Sequence, residues 1–303
     1  MSSRFQLRCR VSTILFTFIT VTLGESSAAA DVASKLYWTT FVGGSGSTVQ
    51  RANLDGSGVE TLVTGLNAPW PIEVDPMHGK MYWGDVNTQQ IQRANLDGSG
   101  VETVAVGVPI DNPAGLAIDA VSQTLYWSDF RYDKICKTDL TTHTTTTLVS
   151  GLSNPFGLAL DLGAGKVYWA DAGAGKIQRV NLDGTGLQDL VTGLSNPRDV
   201  DLDLASGKMF WPDLHDRVIY CANLDGSGAG VLLPSVDATF AVAVDPVGRT
   251  LYWTSDYGIG RANLDGSDVE LDLVPGSSTY GLAVVPEPAS ALLMFGLLLT
   301  RRR

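Results

Sequence analysis

Residues 158–191 read LALDLGAGKVYWADAGAGKIQRVNLDGTGLQDLV, and this stretch decides the fold. It holds four short β-type runs, Leu158–Asp161, Val167–Asp171, Ile177–Leu182 and Leu187–Val191, with glycine-containing turns between them. Gly163-Ala164-Gly165 and Asp183-Gly184 suit tight hairpins, because those turns need backbone conformations that glycine adopts without steric cost. Four antiparallel strands in about 40 residues form one sheet that cannot bury its own faces, so neighbours must cover it.

Those neighbours are present. The aromatic pair recurs as Tyr37-Trp38, Tyr82-Trp83, Tyr126-Trp127, Tyr168-Trp169, Phe210-Trp211 and Tyr252-Trp253, at intervals of 45, 44, 42, 42 and 42 residues. Asn-Leu-Asp-Gly stands at 53–56, 95–98, 181–184, 223–226 and 263–266, and degenerates to Asp-Leu-Thr-Thr at 139–142. No helix-period pattern interrupts the series. The reading is an all-β, six-bladed β-propeller of four-stranded antiparallel blades over residues 31–286. The first repeat lacks an inner strand, whereas the last is followed by an orphan, Tyr280–Val284. Pairing that C-terminal strand with the N-terminal blade closes the ring and removes free sheet edges.

Tyr-Trp-x-Asp followed by Ile-x-Arg-x-x-Leu-Asp-Gly resembles the YWTD, or LDL-receptor class B, six-bladed propeller. The resemblance covers about 250 residues. It implies a non-catalytic, protein-binding module. The motif Asp is present at Asp85, Asp129, Asp171 and Asp213, but Thr40 and Ser255 replace it in blades 1 and 6, which predicts that those blades are more loosely held. The motif Arg is Arg51, Arg93, Arg179 and Arg261, with Lys137 and Cys221 in blades 3 and 5. These repeated residues read as scaffold, since one function rarely needs six copies of a site. Cys136 and Cys221 fall in non-adjacent blades, too far apart for a disulfide, and are expected to be free.

Function is sought where the repeat breaks. The residue entering each inner strand is Trp70, Ala114, Phe156, Arg198, Phe240 and Tyr280 in turn, a ring around the channel mouth. Trp, Tyr and Arg are the usual anchors of recognition surfaces, so Trp70, Phe156, Arg198, Phe240 and Tyr280 are the candidate ligand-binding residues. The loops after the Tyr-Trp strands open on the same face and add Tyr132, His215 and Tyr257. The competing reading is an aromatic plug. On the inner strands, a position that is Ala in four blades is Glu73 and Asp201 in opposite blades. Two such carboxylates form a weak candidate site for a hard cation such as Ca²⁺. Asp199 or the backbone could equally satisfy them.

The ends read as address signals. Arg4, Arg8 and Arg10, the apolar run 11–23 and Ala28-Ala29-Ala30 have the layout of a secretory signal peptide over residues 1–30. At the other end, Pro286-Glu287-Pro288, the apolar run 289–299 and Arg301-Arg302-Arg303 resemble a PEP-CTERM sorting tail (287–303, its motif beginning at Pro286). That resemblance implies processing by an exosortase, transient holding at the membrane, and a destination at the cell surface or extracellular matrix of a Gram-negative-type bacterium. The apolar run is too short to span a bilayer, which takes about 20 residues.

The chain has 303 residues and a net charge of −11. Without residues 1–30 and 287–303 it loses six Arg and two Glu, leaving 15 basic and 30 acidic residues, or −15. That balance excludes nucleic acid as the main partner, because phosphate binding needs clustered Lys and Arg. The sequence thus points to an exported, monomeric module that binds extracellular protein or polysaccharide. Two alternatives stand beside it: a six-bladed hydrolase or lactonase with a divalent metal in the channel, and a purely structural matrix protein. No nucleophile–His–Asp arrangement or metal motif is legible to support catalysis.

Overall fold

A computed structural model describes residues 34–104, 108–276 and 278–285. The chain divides after Asp31, and all described residues belong to the unit Val32–Arg303. The signal peptide at 1–30 and the sorting tail at 287–303 lie outside the described residues.

Six four-stranded antiparallel sheets follow one another. Blade 2 is Pro69–Asp75, Lys80–Asp85, Gln90–Asn95 and Glu102–Thr103; blade 3 is Pro113–Asp119, Thr124–Asp129, Lys134–Asp139 and Thr144–Ser150. Blade 4 is Pro155–Asp161, Lys166–Asp171, Lys176–Asn181 and Gln188–Thr192. Blade 5 is Asp201–Asp203, Lys208–Asp213, Val218–Asn223 and Gly230–Leu233; blade 6 is Val242–Asp245, Thr250–Ser255, Gly258–Asn263 and Glu270–Pro275. Blade 1 takes its inner strand, Thr279–Val285, from the far end of the chain and adds Lys35–Thr40, Ser47–Asn53 and Glu60–Leu66. Leu36 pairs with Val284 and Trp38 with Leu282, so the predicted closure is observed.

The Tyr-Trp pair explains how the blades join. Successive residues of a strand point to opposite faces, so each blade presents Tyr (Phe210 in blade 5) to one neighbour and Trp to the other. One buried cluster holds Tyr37 of blade 1 with Trp83 of blade 2, and the next holds Tyr82 with Trp127. The series continues as Tyr126 with Trp169, Tyr168 with Trp211, and Phe210 with Trp253. It ends with Tyr252 of blade 6 against Trp38 of blade 1. All six motif Trp are essentially without solvent contact. Each removes on the order of 150–250 Å² from water, roughly 4–6 kcal/mol of gross transfer free energy before chain entropy is subtracted.

Polar ties reinforce these seams. Arg51 Nη1 donates to the Leu96 carbonyl of the next blade at 3.2 Å, and Arg179 to Leu224 at 3.0 Å. Arg261 reaches back to Leu54 of blade 1 at 3.4 Å. Lys137 keeps the tie in blade 3 by donating to Leu182 at 2.9 Å, whereas Cys221 in blade 5 has no donor of that reach. Where the motif Asp is missing, hydroxyls act instead. Thr40 Oγ1 lies 2.8 Å from Thr48 Oγ1, and the Thr279 hydroxyl takes the Ser255 N–H and donates to the Gly258 carbonyl. The expected looseness of blades 1 and 6 is thus met by bonds of another kind. Cys136 and Cys221 are both free and sit in different seams.

Candidate functional site

The motif Asp organises the channel-mouth face. Asp85 accepts the Asn67 N–H at 2.9 Å, and Asp213 the Ser195 N–H at 2.9 Å. Asp129 and Asp171 take the corresponding Asp111 and Ser153 N–H groups. Each of these donors lies in the loop entering the inner strand of the same blade. The same carboxylates also cap their own turns, through Thr88, Tyr132 and Asp216. One residue type therefore fixes both the loop that delivers a mouth residue and the neighbouring rim loop.

The structure brings the predicted mouth residues together. Tyr280 and Trp70 stack with centroids 5.9 Å apart and planes 1° from parallel. Trp70 also stacks on Phe156 at 6.2 Å, across the space left by the small Ala114 of the intervening blade. The Arg198 guanidinium lies over the Phe156 ring at 4.3 Å, and Phe240 meets Tyr280 at 4.4 Å. The result is a layer spanning the mouth, with Phe156 buried and the other four half-buried. Recognition and plug are thus not exclusive readings: the rings support one another and still present their upper edges.

Two further aromatics belong to this layer and were missed. Phe130 packs on Phe156 at 5.0 Å, and Phe41 meets Tyr280 edge-on at 5.8 Å. Both directly follow the motif-Asp position, where the other blades carry Val86, Ala172, Leu214 and Asp256, so alignment of that position would have found them. Around the layer, Tyr132, His215 and Tyr257 are exposed. Lys134 Nζ covers the Tyr132 ring at 4.9 Å, and His215 Nε2 lies 3.3 Å from Asn196. Arg198 keeps a buried Nε without a hydrogen-bond partner among the described residues. Burial holds its pKa below the ordinary value, against the pull of Asp213 and Tyr280.

Beneath the layer lies a channel cavity of about 400 Å³. Glu73, Asp199 and Asp201 line it. Asp201 accepts the Val244 N–H at 2.7 Å and the Leu202 N–H at 2.7 Å; Asp199 accepts the Val242 N–H at 3.0 Å. The blade 5 carboxylates thus bond to the inner strand of blade 6. Burial pushes Asp199 up to about 8 and Asp201 up to about 6. Glu73 is raised well above its ordinary range by burial and then by repulsion from Asp201. Among the described residues, no three His, Cys, Asp or Glu side chains are grouped to hold a metal ion. The Glu73/Asp201 pair therefore gains no third protein ligand of those types, and backbone N–H groups use both Asp201 oxygens.

The comparisons with known proteins agree with this architecture. Residues 79–120 match the family model described as low-density lipoprotein receptor repeat class B. Over 90 residues the chain is 30% identical to nidogen of Drosophila melanogaster, a match covering 30% of this chain and 6% of that protein's length. A chain from the crystal structure of a nidogen/laminin complex superposes with a TM-score of 0.73 at 23% identity, covering 83% of this chain and 98% of that one. TolB from Acinetobacter baumannii superposes with a TM-score of 0.64 at 14% identity, over 84% and 67% of the two chains. At such identities the superpositions establish the fold alone. The chain is a six-bladed β-propeller whose residues 79–120 match the low-density lipoprotein receptor class B repeat model.

Proposed function

We propose that this chain is an exported, non-catalytic binding module that uses its channel-mouth face to hold an extracellular protein. The observation that carries the reading is the aromatic layer of Trp70, Tyr280 and Phe240 beside Arg198, whose buried Nε–H has no hydrogen-bond partner among the described residues. A buried donor left unpaired costs free energy, and an incoming carbonyl or carboxylate would relieve it. Rigid aromatic rings supply contact area at little entropic cost, and the exposed Tyr132 and Tyr257 extend that area outward. The similar nidogen/laminin chain comes from a complex of two proteins, which favours a protein partner over a polysaccharide. Export through residues 1–30, exosortase processing of the 287–303 tail and a monomeric state are parts of the same proposal.

The test is capture of partners from the producing cells' extracellular material. Arg198→Gln and the pair Tyr132→Ala with Tyr257→Ala are expected to lower capture at least several-fold with thermal unfolding unchanged. Unaltered capture by both would discard the mouth face. Capture abolished by treating the material with glycosidases, and not with proteases, would replace protein by polysaccharide.

A further inference from the structure

Six inner strands wall the channel, and one position on them sets its width. Three residues below the mouth residue, four blades carry alanine, Ala117, Ala159, Ala243 and Ala283, and the other two carry Glu73 and Asp201. Small side chains at this level leave room for the cavity of about 400 Å³, a volume within the range that holds a small organic molecule. Apart from Arg198 and Tyr280 at the mouth, Glu73, Asp199 and Asp201 are the only ionisable side chains on its wall; the rest of the wall is mostly apolar. Leu162, Leu204 and Pro246 line the cavity a further three residues on. Leu162 and Leu204 are also exposed, so the cavity meets solvent at the end opposite the mouth. At about 3.3 Å per residue, the level of Glu73 and Asp201 lies about 10 Å from either end.

These carboxyls have no counter-charge. Among the described residues no Lys, Arg or His pairs with Glu73, Asp199 or Asp201, and the charges that bear on them are one another, Asp75 and Asp203. Backbone N–H groups of Val242, Val244 and Leu202 hold the two aspartates, whereas Glu73 meets only the N–H of its own neighbour Val74. All three keep some accessible surface although they stand in the middle of the ring, and that surface faces the cavity. A carboxylate in apolar surroundings is costly unless a cation pairs with it and hydrogen-bonds to it. A metal ion is poorly served, because no three His, Cys, Asp or Glu side chains among the described residues are grouped to hold one. An ammonium group asks only for acceptors within reach of its three N–H groups, and an alkyl stem suits the apolar wall.

The geometry points to a small-molecule site in the channel for a primary alkylammonium, which donates to Glu73 and Asp201 and lays its stem along the alanines toward Leu162 and Leu204. The site is separate from protein capture at the mouth. The experiment titrates the full chain with n-hexylamine and with hexan-1-ol by calorimetry at about pH 8, where Asp201 is ionised and the amine is protonated. Expected is saturable binding of the amine, about tenfold tighter than the alcohol and weakened about tenfold by Glu73→Gln, the worth of one hydrogen bond to a charged group. Shortening the stem by one methylene should weaken binding by about fourfold. Ala159→Leu fills the cavity without changing a charge and should abolish binding of the amine. Arg198→Gln should leave it unchanged, which separates this site from the mouth face. Thermal melts confirm that each variant is folded. No binding of the amine at millimolar concentration, equal binding by the parent and Glu73→Gln, or an alcohol that binds as tightly as the amine would overturn the proposal. Displacement of the amine by calcium chloride at constant ionic strength would also overturn it, by assigning the carboxyls to a metal ion.

Discussion

Thr39 of blade 1 takes the Gly281 N–H at 2.9 Å and donates its own hydroxyl proton to the Trp70 carbonyl at 2.8 Å. One buried hydroxyl thereby joins the C-terminal strand to the inner strand of blade 2. Thr254 repeats the device between Ala241 and Tyr280, at 2.9 Å and 3.2 Å. The chain's closing strand is thus held on both sides, and the mouth residues Trp70 and Tyr280 are each one atom group away from a staple.

Thr39→Val keeps the shape and removes both bonds. It leaves a buried N–H and a buried carbonyl unpaired, which costs about 1–3 kcal/mol for each group left unsatisfied. A clear fall in the denaturant midpoint is expected, recovered by Thr39→Ser. A midpoint equal to the parent would show that the staple contributes nothing.

Gly281 tests the same seam by volume. A Cβ at that position would collide with the Trp70 carbonyl oxygen and the Ile72 nitrogen, both backbone atoms that cannot step aside. Gly281→Val is therefore expected to destabilise by about 1–3 kcal/mol, the usual range for overpacking. Gly276→Ala, where a Cβ meets open space, is the control and should unfold with the parent in a thermal melt. Equal melting of both variants would refute the close approach.

The fold was legible because its signals repeat: five Tyr-Trp pairs and one Phe-Trp pair, five Asn-Leu-Asp-Gly turns and one orphan strand leave a single way to close the ring. The mouth residues were legible as departures from the repeat. What could not be read was their mutual stacking, which depends on Ala114 being small enough for Trp70 to reach across it. Glu73 and Asp201 stood out because they replace Ala, yet sequence could not show that the blade 6 backbone would bond to Asp201. Asp199 was harder still, since its importance lies in N–H groups that every residue has.

Those carboxylates predict a pH dependence. Burial raises Asp199 to about 8 and Asp201 to about 6, so folding favours their protonated forms. Their contribution is full below the unfolded value of about 3.9 and is lost as pH rises through the folded values. The melting temperature should fall between about pH 5 and pH 8. Asp199→Asn keeps an acceptor for the Val242 N–H without the charge, so it should flatten this fall and raise stability at pH 8. A parent melting temperature that holds or climbs over that interval would contradict the assignment.

The blade 5–6 seam gives a prediction of opposite sign. In blades 1, 2 and 6 the motif Arg faces Glu60, Glu102 and Glu270 on the outer strand, and in blade 4 it faces Gln188. The matching register pair in blade 5 is Cys221 and Gly230, so neither the ion pair nor the reach to the next blade can form. Cys221→Arg should restore a donor toward the Leu264 carbonyl, the residue equivalent to Leu54, Leu96 and Leu224. Its gain is about 0.5–1.5 kcal/mol, the net worth of one hydrogen bond. Adding Gly230→Glu should increase that gain by more than Gly230→Glu gives alone, because the carboxylate orients the guanidinium. Chemical denaturation of the four proteins measures the coupling. Strict additivity would mean that the seam does not use the Arg–Glu geometry that its neighbours do.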